Sequence, residues 1–273
     1  MRDFNSTGKV YLVGAGPGDP GLITLKGYNL LQKCDVIIYD ALVNEELLQF
    51  IPNTSIKIFI GESRHESRFT QDEVNDLMVL YASQNKIVVR LKGGDPFIFG
   101  RGGEEAIALN NAGIEWEVIP GISSGIAAPA YAGIPLTHRG VSSSVAFITG
   151  HECGSKNKPV DIKKIAASVD TLVIFMGLQK LPEIVDKLLE AGLALSTTIA
   201  LVENGTNKNQ KIITGRLENI LLLSKEITSP ALIIVGEVVK LREVLLNMRA
   251  VKGSMEKQMQ TYEVLNEVLS CIS

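Results

Sequence analysis

Four stretches of this chain set chemistry-bearing residues directly after apolar runs. Gly14-Ala15-Gly16-Pro17-Gly18-Asp19 follows Lys9–Val13, and Asp40 closes Val36–Tyr39. Lys92-Gly93-Gly94-Asp95-Pro96-Phe97-Ile98-Phe99-Gly100 follows Lys86–Leu91, and Pro120-Gly121-Ile122-Ser123-Ser124-Gly125 follows Glu115–Ile119. Gly14-x-Gly16 tempts one towards a dinucleotide fold, with Asp40 in the place of a ribose-binding acid. Two residues oppose that reading and the nicotinamide-dependent oxidoreductase it would imply. The third glycine of the fingerprint falls on Asp19, which puts negative charge where a pyrophosphate belongs, and Pro17 has no N–H to offer one. A loop poor at holding phosphate suits a ligand without it, such as an adenosyl-amino acid. A tight glycine turn with no ligand is the plain alternative.

The stretch from Lys92 carries more information. Gly93 and Gly94, after a buried strand, let another molecule approach the backbone closely. Asp95 can accept hydrogen bonds from ribose hydroxyls or an amino group. Phe97-Ile98-Phe99 suits a segment that closes on something apolar. Ser123 and Ser124 have the chemistry of helix caps, and Met176, in Phe175-Met176-Gly177, is by default a core residue. Asp40 is the candidate acid or base, because a carboxylate at a strand end beside a cleft can take a proton. As a lone loop aspartate it equally forms turns. Arg101, His138, Arg139 and Lys92 can supply positive charge to a cleft, or simply face solvent.

Alternating elements must position these groups. Apolar strand-like runs at 9–13, 36–39, 56–60, 86–91 and 115–119 are separated by helical stretches, with Thr24 as an N-cap and Gln71–Gln84 in helical periodicity. A further helix spans about Gly103–Ala112. Such alternation predicts an α/β fold with a parallel sheet, whose ligands bind beyond the carboxyl ends of the strands. The loops after Val13, Tyr39, Leu91 and Ile119 are therefore expected on one rim. The pattern breaks at Pro135–Val141. A second alternating series follows, at 145–149, 172–176, 199–202, 211–214 and 231–235, with a helix from Leu181 to Ala191 stopped by Gly192. The expected organisation is an N-terminal α/β domain over 1–136 with the glycine-rich loops, a C-terminal α/β domain over 137–249 with a ligand cleft between them, and a helical tail over 250–273. In the tail, Met259, Tyr262, Leu265, Leu269 and Ile272 recur at helical spacing.

Composition bounds the alternatives. Of 273 residues, 45% are hydrophobic and 21% charged, the balance of a folded globular chain. A net charge of −3 argues against broad binding to nucleic acid or a membrane surface. Met1–Lys9 is polar and reads as no signal peptide, and the charge-free run Val118–His138 is interrupted by Pro120, Pro129 and Pro135, so it reads as loop and short helix. Cys34, Cys153 and Cys271 form no Cys-x-x-Cys pair, and His65, His138 and His151 have no metal-ligand spacing. A cytoplasmic enzyme with no metal is expected.

At these same residues the sequence resembles the tetrapyrrole methylase family, over roughly residues 8–243. The resemblance rests on Val10–Pro20, Val89–Glu105, Ala128–Arg139, Val202–Thr206 and Pro230–Glu237, in that order. It implies two α/β domains in a homodimer, with S-adenosyl-L-methionine as methyl donor and S-adenosyl-L-homocysteine as product. It implies two successive methyl transfers to uroporphyrinogen III, by way of precorrin-1 to precorrin-2, for sirohaem or corrinoid synthesis. By resemblance, Pro17, Gly93, Gly94, Asp95, Ile98, Ser123, Ser124, Met176 and Gly205 are cofactor contacts, and Asp40 is a proton acceptor. A substrate rich in carboxylates calls for cationic clamps, expected at Arg101, His138 and Arg139. Two positions depart: where the family commonly has a Lys after Gly61, proposed as a proton donor, this chain has Glu62, and an expected His is Ser67. The expectation is that this donor is dispensable, or that Arg64 or Arg68 compensates; a non-catalytic protein that retained the pocket is the competing reading.

Overall fold

The computed structural model describes residues 8–61, 69–150 and 160–246. The readings on Glu62, Arg64, His65, Ser67 and Arg68, on His151 and Cys153, and on the tail over 250–273 lie outside the described residues.

Five short strands, β1 (Lys9–Gly14), β2 (Val36–Tyr39), β3 (Ile56–Phe59), β4 (Ile87–Lys92) and β5 (Glu115–Ile119), form one sheet in the order β3-β2-β4-β1-β5. Its strand pairs β1–β4, β1–β5, β2–β3 and β2–β4 are all parallel. The connections carry α1 (Leu25–Leu31), α2 (Gln71–Ser83) and α3 (Gly102–Asn111), and α4 (Ser124–Tyr131) follows β5. Thr24 caps α1 by accepting from Gly27 N–H at 3.1 Å, as its type and place predict. At α2 a full capping box forms, with Thr70 and Glu73 each satisfying the other's backbone N–H.

Because side chains alternate along a strand, the sheet has two separate cores. On one face Val10, Leu12, Val36, Ile38 and Val88 pack with Val74, Met78 and Ala82 of α2 and Ala106 and Leu109 of α3. On the other face Val13, Ile37, Val89, Leu91 and Ile119 pack with Leu31, Leu47 and Ile51. Cys34 belongs to this second core, where burial pushes its thiol up to about 11 against the lowering effect of Ser55. Along β4, Val88, Arg90 and Lys92 share the α2–α3 face, so that face turns from apolar to charged towards its carboxyl end.

The second sheet contains β6 (Val145–Thr149), β7 (Thr171–Phe175), β8 (Thr198–Glu203), β9 (Lys211–Arg216) and β10 (Ala231–Val235), in the order β6-β7-β10-β8-β9. Here β6 and β7 run parallel while β10 runs antiparallel to β7. This mixed character is not legible in the alternating pattern. The helices here are α5 (Ile162–Ala166), α6 (Leu181–Glu190) and α7 (Ile220–Leu223). At the start of β6, Asp170 accepts from the backbone N–H and hydroxyl of both Ser143 and Ser144 at 2.8–3.1 Å.

Contacts divide the described residues into two compact units. One comprises residues up to Ala128 with Val202–Lys211 and Thr228–Leu232; the other comprises Pro129–Leu201, Ile212–Ile227 and the residues from Ile233. Within the first unit the two late segments are tied in by side chains. Asp19 N–H donates to the Thr206 hydroxyl at 2.9 Å, and Glu203 accepts from Thr228 N–H and its hydroxyl, each at 2.9 Å. Among the described residues no helix is long and apolar enough to cross a membrane.

Candidate active site

In a parallel sheet the loops leaving the carboxyl ends lie on one edge, and here they are stitched together. Gly16 and Gly94 exchange both backbone hydrogen bonds, at 3.2 and 2.7 Å, and Ala15 N–H donates to Lys92 C=O at 2.8 Å. The chain can come this close only without side chains. A Cβ on Gly14 would lie 2.5 Å from Gly121 Cα, and one on Gly121 would lie 2.3 Å from the Gly94 carbonyl oxygen. The expectation of a shared rim therefore holds, and its glycines serve first to let three loops touch.

Asp95 joins the second and third of these loops. Its Oδ1 accepts from Phe97 N–H at 2.8 Å and its Oδ2 from Gly121 N–H at 3.0 Å. The carboxylate thus has a structural duty that its residue type alone does not reveal, while each oxygen keeps a lone pair for a ligand donor. Pro17 is half-buried in the bend after β1, and Gly93 lies against Leu42 of the loop after β2. Gly94 has φ +69°, and a Cβ there would meet nothing closer than 3.9 Å, so its bare backbone faces open space. Phe97, Ile98 and Phe99 stand 50, 42 and 42% exposed, an apolar run left on the surface. Ser123 is buried and immediately precedes α4, its hydroxyl accepting from Gly125 N–H and its carbonyl from Ile126 and Ala127 N–H; Ser124 is the first residue of the helix.

Asp40 sits at the end of β2 on the same rim, its side chain 26% exposed. Its Oδ1 accepts from Leu42 N–H at 3.1 Å and its Oδ2 lies 3.5 Å from the Arg90 guanidinium. Arg90 belongs to a buried group that a reading of the loops alone misses. Its Nε donates to Glu105 Oε1 at 3.0 Å, and Lys92 Nζ donates to that same oxygen at 2.9 Å. Lys92, proposed from sequence as a cation open to a cleft, is instead 4% exposed on the inner face. Burial, and then the charge of Arg90, hold its amine below the usual lysine range. Part of the signal was present: Arg90 is a charged residue inside the run Lys86–Leu91 read as a buried strand, and Glu105 lies in the first turn of the next helix.

Arg101 precedes α3 and grips Glu104 with Nε at 3.0 Å and one terminal nitrogen at 2.6 Å, in an exposed pair. Gly205 lies against Ala128, where a Cβ would come within 2.3 Å of the alanine Cβ. In the second unit, His138 and Arg139 form an exposed turn, His138 exchanging backbone hydrogen bonds with Ser142 at 2.9 Å. Met176 follows β7 and is 55% exposed, so its default reading as core is corrected: the strand ends at Phe175 and turns outward. It also has φ +52°. Among the described residues, Asn85, Phe99, Arg101, Asn204 and Thr206 share this left-handed backbone; Phe99 and Arg101 lie in and just after the Lys92–Gly100 loop, and Asn204 and Thr206 flank Gly205. Such conformations cost energy and concentrate where a loop must hold a set shape.

A parallel sheet with helices in its connections, whose carboxyl-end loops meet through glycines and are tied by an aspartate, defines an α/β protein with a candidate ligand rim. The chain belongs to the tetrapyrrole (corrin/porphyrin) methylases, whose family model matches residues 9–221. It is 51% identical over 234 residues to a uroporphyrinogen-III C-methyltransferase of Priestia megaterium, covering 85% of this chain and 98% of that protein. A siroheme synthase of Yersinia enterocolitica is 48% identical over 242 residues, covering 89% of this chain but 51% of the longer protein. Among solved structures, a Thermus thermophilus uroporphyrin-III C-methyltransferase complexed with S-adenosyl homocysteine superposes with a TM-score of 0.74 at 40% identity, covering 85% of this chain and 99% of that one.

Proposed function

We propose that this chain is an S-adenosyl-L-methionine-dependent C-methyltransferase that methylates uroporphyrinogen III twice, giving precorrin-2 by way of precorrin-1 for sirohaem or corrinoid synthesis. The observation that carries the reading is the rim where Gly14, Gly94 and Gly121 meet around Asp95. Its donor set fits the methyl donor. Bare backbone at Gly93 and Gly94 admits close approach, Asp95 retains acceptor capacity for hydroxyl or amino groups, and Phe97–Phe99 offer apolar surface. Pro17, Ile98, Ser123, Ser124, Gly205 and Met176 complete the proposed contacts.

When bound, the donor supplies a methyl on a sulfonium, whose S–C bond breaks as a pyrrole carbon's electron pair forms the new C–C bond. The chain's task is alignment, the proximity contribution to rate. Asp40, held at both oxygens on the rim, accepts the proton the ring system sheds. Arg101, His138 and Arg139 are the proposed partners of the substrate's carboxylates. A homodimer working in the cytoplasm completes the reading. The test is anaerobic incubation with S-adenosylmethionine and uroporphyrinogen III, followed by mass analysis. A gain of two methyl groups is expected; no gain with cofactor binding intact overturns the reading.

A further inference from the structure

The buried charges behind Asp40 do not close on themselves. Arg90, Lys92 and Glu105 have side-chain exposures of 6, 5 and 0%, so two cations face one anion away from water. Both cations, and Gln71 Nε2 at 3.4 Å, converge on Glu105 Oε1, while Oε2 is buried with no hydrogen-bond partner among the described residues. A network evolved only for stability gains most by satisfying every polar atom, and an uncompensated buried charge is costly. The second carboxylate that the guanidinium meets is Asp40, at the rim.

The guanidinium is fixed on its other sides as well. Nε is on Glu105, and one terminal nitrogen donates to Leu91 C=O at 2.9 Å and Ile38 C=O at 3.4 Å, which leaves the second terminal nitrogen for Asp40. Ile38 lies two residues before Asp40, so Arg90 grips both the end of β2 and the carboxylate that follows it. A planar fork can do this; a single ammonium cannot bridge the same set. With Leu42 N–H on the other oxygen, Asp40 is held from two sides.

We propose that Arg90 is a positioning residue for methyl transfer: anchored from behind by Glu105, it fixes the Asp40 carboxylate at the angle from which it takes the proton. This rests on the reading of Asp40 given above. The test is a double-mutant cycle of Arg90→Lys with Asp40→Asn, reading kcat and KM for uroporphyrinogen III and the affinity for S-adenosylhomocysteine. Arg90→Lys keeps the buried charge but loses the fork, so kcat falls about 10–100-fold. KM and S-adenosylhomocysteine affinity stay within about twofold, and in the Asp40→Asn background the same substitution changes kcat by less than about twofold. If Arg90→Lys does not fold, Glu105→Gln, which removes the rear anchor's charge and leaves Arg90 in place, is read by the same criteria. An equal loss of kcat in both backgrounds, or a loss confined to KM or ligand affinity, overturns the proposal and leaves the Asp40 reading standing. Wild-type turnover in Asp40→Asn removes the base and the proposal together.

Discussion

Two carboxylates in this molecule invite comparison. Asp170, in the second unit, receives four hydrogen bonds from Ser143 and Ser144 and pins one strand start to the next. Glu105, in the first unit, is fully buried, yet carries two cations on one oxygen and leaves the other without a partner among the described residues. Both carboxylates gather their partners on a single oxygen. Asp170 is exposed, so water reaches its other oxygen, whereas the other oxygen of Glu105 is shut away from water, the costlier arrangement for stability. The comparison teaches how to separate a structural carboxylate from one that serves a site. The first ties only neighbouring backbone and hydroxyl groups, whereas the second acts through Arg90 on a residue at the rim.

That contrast can be broken at four points. The largest effect belongs to Asp40→Asn, where kcat falls roughly 10²–10⁴-fold with the thermal transition unchanged; single-turnover methyl transfer measures it. Glu105→Ala removes the buried anion that Arg90 and Lys92 share, and chemical denaturation reads a loss of about 3–5 kcal/mol. Gly121→Ala drives a methyl towards the Gly94 carbonyl, overpacking the rim by about 1–3 kcal/mol. S-adenosylhomocysteine affinity by calorimetry falls about tenfold in response.

Asp170→Asn has the smallest effect, lowering Tm by roughly 2–4 °C with methyl transfer intact. The Ser143 backbone N–H, then the Ser144 and Ser143 hydroxyls, hold the Asp170 carboxyl below the usual carboxylate range. Its stabilisation is therefore full above the unfolded value of about 4 and is lost as pH falls through the lower folded value. The gap in Tm between the two proteins accordingly closes on acidification, which thermal scans across that range measure.

Much of the frame was legible in the sequence, because the strands read as short runs rich in apolar and β-branched residues, closed by glycine, proline or aspartate. The positions of β2, β5, β6 and β10, the cap at Thr24 and the stop of α6 before Gly192 follow from such local signals. What escaped depends on residues far apart in the chain. The antiparallel course of β10 against β7 is a tertiary choice that alternation cannot encode. The linkage of Asp95 to Gly121 spans 26 residues, and that of Arg90 to Asp40 crosses two adjacent strands. In the sequence Lys92 looks like any charged loop residue; only the pleat, which turns it inward with Arg90, reveals its burial.

The late segments of the first unit bear on how the protein is made. Its five-stranded sheet is complete once Ile119 has left the ribosome, but Thr206, which ties down Asp19, emerges more than 80 residues later, and Thr228 later still. At roughly 5–20 residues per second, several seconds separate the two events. The nascent chain thus owns a framework well before it owns a finished rim. Truncation before Thr206 therefore yields a sheet whose glycine loops are stitched to one another but whose first loop lacks its anchor at Asp19.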